Sequence, residues 1–263
     1  MSVADAFVRA RAENRRVLVG YLPAGFPSYD GCVAALTAMV KAGVDVVEIG
    51  LPYSDPVMDG PTIQAAAERA LAHGTRTRDV LHTVEAVAAL GVPTLCMTYW
   101  NPVYRYGVDR FAADLAAAGG TGLITPDLIP EEAGDWLAAS DAHGLDRVFL
   151  VAPSSTPERI RSTVEACRGF VYAASLMGVT GARDRTSGQG AALVSRVREA
   201  TELPVGVGLG VSNGEQAAEV AGYADAVIVG SAFVRAVLDA ETPDAGAAAA
   251  AELAADLAAG VRR

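Results

Sequence analysis

Residues 46–64 read VVEIGLPYSDPVMDGPTIQ, an apolar run that passes into a proline-rich loop. The run holds one carboxylate, Glu48, and the loop is stiffened by Pro52, Pro56 and Pro61. A short, uninterrupted apolar segment bounded by turn residues is typical of a parallel strand that is covered on both faces. The stretch therefore predicts a buried strand followed by a shaped loop at its carboxyl end.

Similar apolar runs recur along the chain, and helical patterns separate them. Eight such units in 263 residues predict an α/β fold of one domain, a (β/α)8 TIM barrel over residues 1–263 with an extra amino-terminal helix over residues 3–14. Residues 20–27 lack the glycine fingerprint of an open dinucleotide-binding sheet. The predicted strands are Val17–Tyr21, Val44–Gly50, Pro93–Thr98, Gly122–Thr125, Arg147–Val151, Phe170–Ala174, Pro204–Val207 and Asp225–Val229.

Several helix boundaries have recognisable signals. Valines spaced by about one turn predict a helix over Thr77–Leu90. Thr156 followed by Pro157 predicts an N-cap and a first helical residue, and Ser212 with Glu215 has capping-box spacing.

Two connections are predicted to be long, and both follow strands, so they lie at the face where barrel sites are built. One runs from Leu51 to about Arg76. The other runs from Leu176 to about Gly190, and its glycines are typical of a mobile lid. A short helix is predicted from Ala232, and the alanine-rich segment Ala245–Ala259 is predicted to close the fold as a helix.

Composition excludes several classes of protein. The formal charge of −10 disfavours binding to a polyanion such as DNA. Cys32, Cys96 and Cys167 show no paired spacing, so we expect buried, reduced thiols. No segment has the pattern of a signal peptide or a membrane span, and we expect a cytoplasmic protein.

Two carboxylates near the end of the second strand are the candidate catalytic groups. Glu48 sits among valine and isoleucine, where a charge is costly unless a site or a basic partner accommodates it. It is either a barrel-interior charge paired with arginine or an acid–base group whose pKa is raised by its surroundings. Asp59 lies in the stiff loop, with Asp55 as its rival, and either could instead stabilise a turn.

Two glycine-rich turns near the end of the chain predict a phosphate site. Gly208 and Gly210 follow the seventh strand, while Gly230 and Ser231 follow the eighth and precede the short helix. Backbone amides in these two loops form the recurring phosphate site of such barrels. Each glycine alone could also be an ordinary turn residue.

The residues that are missing narrow the chemistry. The only lysine, Lys41, is predicted at a helix carboxyl end on the opposite face, so no amine is available for a Schiff base. His73, His82 and His143 lie away from strand ends and have no ligand spacing, and we expect no metal. Bond cleavage would therefore depend on carboxylates and on a substrate that supplies its own electron sink.

The stretch at residues 46–64 resembles the signature of the tryptophan synthase α subunit. Further segments match in family order: YLPAGFPS, MTYWNPVYRYG, PDLIPEE, GVTGA, GVGLGVS and GSAFV. The resemblance implies a lyase of tryptophan biosynthesis, which cleaves indole-3-glycerol phosphate by a retro-aldol reaction into indole and glyceraldehyde 3-phosphate. It also implies no cofactor of the chain's own, and an α2β2 assembly with a β subunit that carries pyridoxal phosphate.

The resemblance also implies roles for individual residues. Glu48 would protonate indole C3 and take the proton of the glycerol hydroxyl next to the breaking bond, and Asp59 would bind the indole N–H. Thr180 would orient Asp59, and Tyr172 would face the glutamate. Gly181 would join Gly208, Gly210, Gly230 and Ser231 around the phosphate. The residues implied at the β-subunit interface are Asp55, Tyr99 and Asn101.

Some positions depart from the family pattern, and other functions stay open. Met58, Trp100, Leu176 and Met177 differ from the residues usual there, which bears on coupling to a partner. A free-standing lyase that releases indole would share the same motifs. A catalytically idle barrel that acts as a binding or allosteric partner, and a phosphosugar isomerase, are further alternatives.

Overall fold

The computed structural model describes residues 1–174, 183–208 and 210–263, and of residues 183–187 it describes the backbone only. In these ranges nine parallel strands form one sheet. The strands are β1 (Val17–Pro23), β2 (Val46–Gly50), β3 (Thr94–Met97), β4 (Gly122–Ile124), β5 (Asp146–Val148), β6 (Leu150–Val151), β7 (Val171–Ala174), β8 (Val205–Gly208) and β9 (Ala226–Val229).

The sheet closes into a barrel through the chain itself. The strand order is β5-β4-β3-β2-β1-β9-β8-β7-β6, so β5 and β6 stand at its two ends. Only Phe149 separates these two strands in sequence, and the chain thus joins one end of the sheet to the other. All neighbours are parallel, which places every strand's carboxyl end at one face of the barrel. The predicted (β/α)8 barrel is confirmed.

Helices surround the barrel and cover one end of it. They are α1 (Val3–Ala12), α2 (Tyr29–Ala42), α3 (Pro61–Ala72), α4 (Thr77–Ala88), α5 (Trp100–Tyr106), α6 (Val108–Ala117), α7 (Gly134–His143), α8 (Pro157–Ala166), α9 (Arg183–Arg198), α10 (Gly214–Ala221), α11 (Ser231–Leu238) and α12 (Pro243–Gly260), with a short 3-10 helix over Pro130–Glu132.

The amino-terminal helix α1 closes the barrel at the end opposite the carboxyl ends of the strands. Its apolar face, including Phe7, packs into one cluster with interior residues of the strands such as Val19, Val46 and Leu95. The rings of Phe7 and Phe170 lie 5.9 Å apart. This end is a packed core, so the opposite end is the one available for a site.

Three sequence predictions need correction. The predicted loop from Leu51 to Arg76 contains α3, because Pro61 starts a helix and the alanine-rich run behind it favours one. The predicted connection to Gly190 ends earlier, since α9 begins at Arg183. The fifth strand is interrupted at Phe149.

The predicted capping box at Ser212 and Glu215 is also wrong. The N-cap of α10 is Asn213, whose side chain accepts a hydrogen bond from the backbone N–H of Gln216 at 2.9 Å. Asparagine caps as well as serine does, and shifting the pattern by one residue keeps the same spacing. The Thr156 cap is confirmed, with its hydroxyl accepting from the N–H of Arg159.

Two further expectations can be compared with the structure. All three cysteines are buried free thiols. Within the described ranges, none of the helices combines the length and the apolar character that crossing a membrane requires.

Candidate active site

Glu48 is a buried carboxylate for which the described residues supply no hydrogen-bond partner at Oε1. It lies in β2 with its side chain toward the barrel interior, and only 1% of the residue is exposed. Its Oε1 atom makes no hydrogen bond, and no arginine pairs with it among the described residues. Burial raises the pKa of the Glu48 carboxyl to about 8, because the charged form is poorly solvated there. Within the described residues the arginine pair is not observed, and the raised pKa is of the kind expected for an acid–base group.

Two tyrosines flank Glu48 on either side of the barrel mouth. Tyr21 is the register partner of Glu48 on β1. Tyr172, on β7, lies close enough for the charge of Glu48 to raise its pKa further, in addition to the larger effect of burial. The pKa of Tyr21 is raised first by burial and then by the nearby charges of Asp59 and Glu48. Both phenols therefore stay neutral and can donate hydrogen bonds into the mouth.

Each tyrosine lies over a glycine of the neighbouring strand. A Cβ atom added at Gly50 would lie 2.3 Å from Tyr21 Oη, and one added at Gly208 would lie 2.5 Å from Tyr172 Oη. These two glycines leave the space that the tyrosine rings fill. For Gly208 this contact explains the glycine independently of any phosphate.

Asp59 is held at the mouth by contacts on both sides of its loop. Its backbone carbonyl accepts a hydrogen bond from Gln64 Nε2 at 2.7 Å. The hydroxyl of Tyr99 accepts a hydrogen bond from the backbone N–H of Met58 at 3.0 Å, which fixes the neighbouring residue of the loop. Burial raises the pKa of Asp59, and the nearby Tyr99 hydroxyl partly opposes that rise. The loop thus presents a fixed second carboxylate, as its prolines predict.

The predicted phosphate residues lie at the ends of β8 and β9. Gly230 is the N-cap of α11, and Ser231 is its first residue, exposed to solvent. Gly210 has a φ of +68°, a left-handed conformation that favours glycine. A helix amino terminus with free N–H groups attracts an anion. Thr180 and Gly181 lie outside the described residues, as do residues 176–182 of the predicted lid.

Gly230 connects the phosphate side to the acid–base side. A Cβ atom at Gly230 would lie 3.5 Å from the ring of Tyr21. Because that ring also covers Gly50, Tyr21 spans the distance between the catalytic strand β2 and the start of α11. The predicted acid–base pair and the predicted phosphate turn therefore share one neighbour.

The predicted interface residues divide into two groups. Asp55 and Asn101 are exposed at the rim, where Asn101 Nδ2 donates to Tyr53 Oη at 3.1 Å. Tyr99 is only 5% exposed and contacts Asp59, so the structure gives it a position inside the mouth.

Sequence reasoning missed Tyr21 and the contact between Tyr99 and Asp59. Tyr21 ends the first predicted strand, and alternation along that strand would have placed it inside the barrel beside Glu48. No local pattern connects Tyr99 with Asp59, since the two residues lie on different loops.

Two surface clefts lie outside the mouth. A cleft of about 470 Å³ is lined by His73, His82, Asp79 and the start of α2. A smaller cleft of about 270 Å³ includes Asp55 and Glu68. In the part of the chain that the structure describes, no group of three or more metal-binding side chains is assembled.

A carboxylate pair at the strand ends of a (β/α)8 barrel, beside a helix amino terminus suited to an anion, is typical of enzymes that use acid–base chemistry on phosphorylated substrates. Comparisons with known proteins identify the family to which this enzyme belongs. The family model described as tryptophan synthase alpha chain matches residues 7–262. The chain belongs to this family. It is a carbon–carbon lyase of tryptophan biosynthesis, and its reaction cleaves indole-3-glycerol phosphate.

The similarity to individual members of the family extends over nearly the whole chain. The chain is 67% identical to the tryptophan synthase alpha chain of Salinispora arenicola, over 98% of this chain and 96% of the relative. It is also 67% identical to that of Acidothermus cellulolyticus, over 100% and 97%.

Solved structures show the same fold. A tryptophan synthase structure from M. tuberculosis superposes with a TM-score of 0.92 at 56% identity, covering 99% of this chain and 98% of that one. The alpha subunit from Legionella pneumophila gives a TM-score of 0.90 at 32% identity, covering 99% and 98%.

Proposed function

We propose that Glu48 and Asp59 are the acid–base pair of the retro-aldol cleavage. The observation that carries this proposal is the burial of the Glu48 carboxyl at the mouth of the barrel, where no described residue pairs with its Oε1 atom. With a pKa near 8, the group is mostly protonated at neutral pH and can act as an acid first.

Glu48 moves two protons in one turnover. It donates its proton to indole C3, which leaves a cationic indolenine. The resulting carboxylate takes the proton of the hydroxyl on the carbon attached to C3. The electron pair of the carbon–carbon bond then restores the indole ring as the aldehyde forms. Glu48 ends the cycle protonated, as it began.

Asp59 stabilises the cationic intermediate. Its carboxylate accepts the indole N–H and offsets the positive charge that develops when C3 is protonated. Tyr99 supports this role because its nearby hydroxyl lowers the pKa of Asp59 and so favours the charged form. Tyr172 faces Glu48 across the mouth and contributes to the wall around the substrate.

The phosphate of the substrate binds at the start of α11. Gly230 and Ser231 supply backbone N–H groups at the helix amino terminus, and Gly210 lets the β8 turn approach closely. Gly208 and Gly181 complete the cradle, and Thr180 orients Asp59 when the lid closes.

The indole passes to a β subunit, with which the chain forms an α2β2 assembly. The rim near Asp55 and Asn101 supports this part of the proposal, because Val57, Met58 and Tyr104 are large exposed apolar residues there. The chain needs no cofactor of its own, and pyridoxal phosphate belongs to the β subunit. We further propose that residues 1–263 act as one domain, in the cytoplasm.

Indole release from indole-3-glycerol phosphate by the purified chain, with and without a β subunit, tests the acid–base assignment. Glu48→Gln should lower kcat by about 10²–10⁴-fold, the usual contribution of a positioned acid–base group. Asp59→Asn should lower it as well, and Glu158→Gln, an exposed glutamate on α8, should not. Retention of wild-type kcat in Glu48→Gln would overturn the assignment.

A further inference from the structure

Helices α3 and α11 begin beside the two halves of the proposed site. Helix α3 starts at Pro61, two residues after Asp59, and α11 starts at Ser231 in the phosphate turn. The two helices pack against each other. One packed surface therefore joins the two helices that begin at the two halves of the site.

A side-chain hydrogen bond joins the second turn of α11 to the first turn of α3. Arg235 Nη2, on α11, donates to Thr62 Oγ1, on α3, at 2.6 Å. Arg235 Nη1 lies 3.7 Å from Asp239 Oδ1 one turn further along α11, which orients the guanidinium. The arginine side chain is 55% exposed, so the contact adds little to stability.

The turn that carries Thr62 also holds Asp59. Gln64, on the same first turn of α3, donates from Nε2 to the carbonyl of Asp59 at 2.7 Å. A connected path therefore runs from the amino terminus of α11, along one turn of that helix to Arg235, and through Thr62 and the first turn of α3 to the backbone of Asp59.

We propose that Arg235 is a positioning residue, which uses its hydrogen bond to Thr62 to couple phosphate binding at the start of α11 to the placement of Asp59. Part of the binding energy of the phosphate then serves to align a group that acts at the other end of the substrate. This inference rests on the proposed function, since it requires phosphate at α11 and catalysis by Asp59.

The test compares a phosphorylated and a truncated substrate. We would measure kcat and KM for indole-3-glycerol phosphate, and for indoleglycerol with and without added phosphite dianion, in Thr62→Val, Arg235→Met and the double variant. Arg161→Met is the matched control, because Arg161 is an exposed arginine that pairs with Glu158 on its own helix.

Both single variants should reduce the activation by phosphite about three- to tenfold, with little change in the basal rate on indoleglycerol. The double variant should lose no more than the worse single variant, and Arg235→Lys should restore part of the effect. If Arg235→Met folds poorly, the nearly isosteric Thr62→Val and Arg235→Lys still provide the test.

The background Asp59→Asn distinguishes this inference from the proposed function. If Asp59→Asn keeps wild-type activity, the proposed function fails. If it loses activity, but Arg235→Met and Thr62→Val leave the phosphite activation unchanged, the coupling proposal is overturned. The double variant Arg235→Met with Asp59→Asn gives a further test. If its loss of activity equals the product of the two single losses, the proposal is overturned, because the arginine would then act independently of Asp59.

Discussion

Asp45 and Glu48 are two buried carboxylates on one short segment of chain, and the protein treats them in opposite ways. Asp45 lies at the packed end of the barrel and binds Arg15 through both oxygens, at 2.7 and 2.9 Å. It also accepts the backbone N–H of Leu18 at 3.0 Å. Glu48, three residues later, faces the open end and has no partner for Oε1. A paired buried charge fixes structure, whereas an unpaired one keeps a proton available for chemistry.

The largest stability effect is expected at the paired carboxylate. Asp45→Ala leaves the buried Arg15 without its main partner, so the free energy of unfolding should fall by about 3–5 kcal/mol. Urea denaturation measures the change. The kcat of the protein that remains folded should stay at the wild-type level, because Asp45 lies at the closed end. An equal free energy of unfolding in the variant and the wild type would contradict the structural role of the Asp45–Arg15 pair.

The opposite change is expected at the unpaired carboxylate, and it depends on pH. The unfolded chain loses the Glu48 proton near pH 4.5 and the folded chain near pH 8. Between these values the folded state binds one more proton, so its stability falls as pH rises.

Glu48→Gln removes this dependence. The variant should gain stability relative to the wild type from pH 5 to pH 8, reaching about 4 kcal/mol. Paired urea titrations of the two proteins at several pH values measure the gain. A difference that does not vary with pH would contradict the raised pKa.

A smaller effect is expected where a carboxylate is held by one hydroxyl. Tyr99→Phe removes the hydroxyl that lowers the pKa of Asp59 and that accepts the Met58 N–H. The pKa of Asp59 should rise, and kcat should fall about three- to tenfold, as expected for the loss of one hydrogen bond to a charged group. Steady-state kinetics across the acidic limb measure both changes. Tyr104→Phe, at an exposed position, serves as the control; equal behaviour of the two variants would argue against the role of Tyr99.

The smallest effect is expected from glycines beneath the tyrosines. In Gly50→Ala the new methyl group would clash with the hydroxyl and ring atoms of the buried Tyr21, which must shift to make room. Stability should fall by about 1–2 kcal/mol, while kcat falls measurably because Tyr21 is displaced near both carboxylates. Gly134→Ala, where nothing lies within 4 Å, should change neither quantity. Thermal unfolding and steady-state kinetics of Gly50→Ala and Gly134→Ala measure the two effects. An unaltered kcat in Gly50→Ala would exclude Tyr21 from the mouth.

Much of this organisation could be predicted from local sequence. The strands follow from short apolar runs, and Glu48 stands out because a carboxylate inside such a run is costly. The start of α3 was missed because Pro61 looks like part of a stiff loop, although proline is also favoured at the first helical position.

Contacts between distant segments could not be predicted in the same way. Tyr99 reaches Asp59 from the loop after β3, and Arg235 reaches Thr62 from the other end of the chain. Such pairs depend on how the barrel closes, and no periodicity in the sequence records that closure. The position of Tyr21 is an intermediate case, since strand alternation and a parallel register beside β2 would place it next to Glu48.

The central claim is that Glu48 is a neutral acid in the resting enzyme, and its titration tests this most directly. Infrared difference spectra of the wild type minus Glu48→Gln, recorded across a pH series, isolate the carboxyl band of this residue. The account predicts a protonated carboxyl that titrates near pH 8. A carboxylate already ionised above its ordinary value of 4.5 would contradict it.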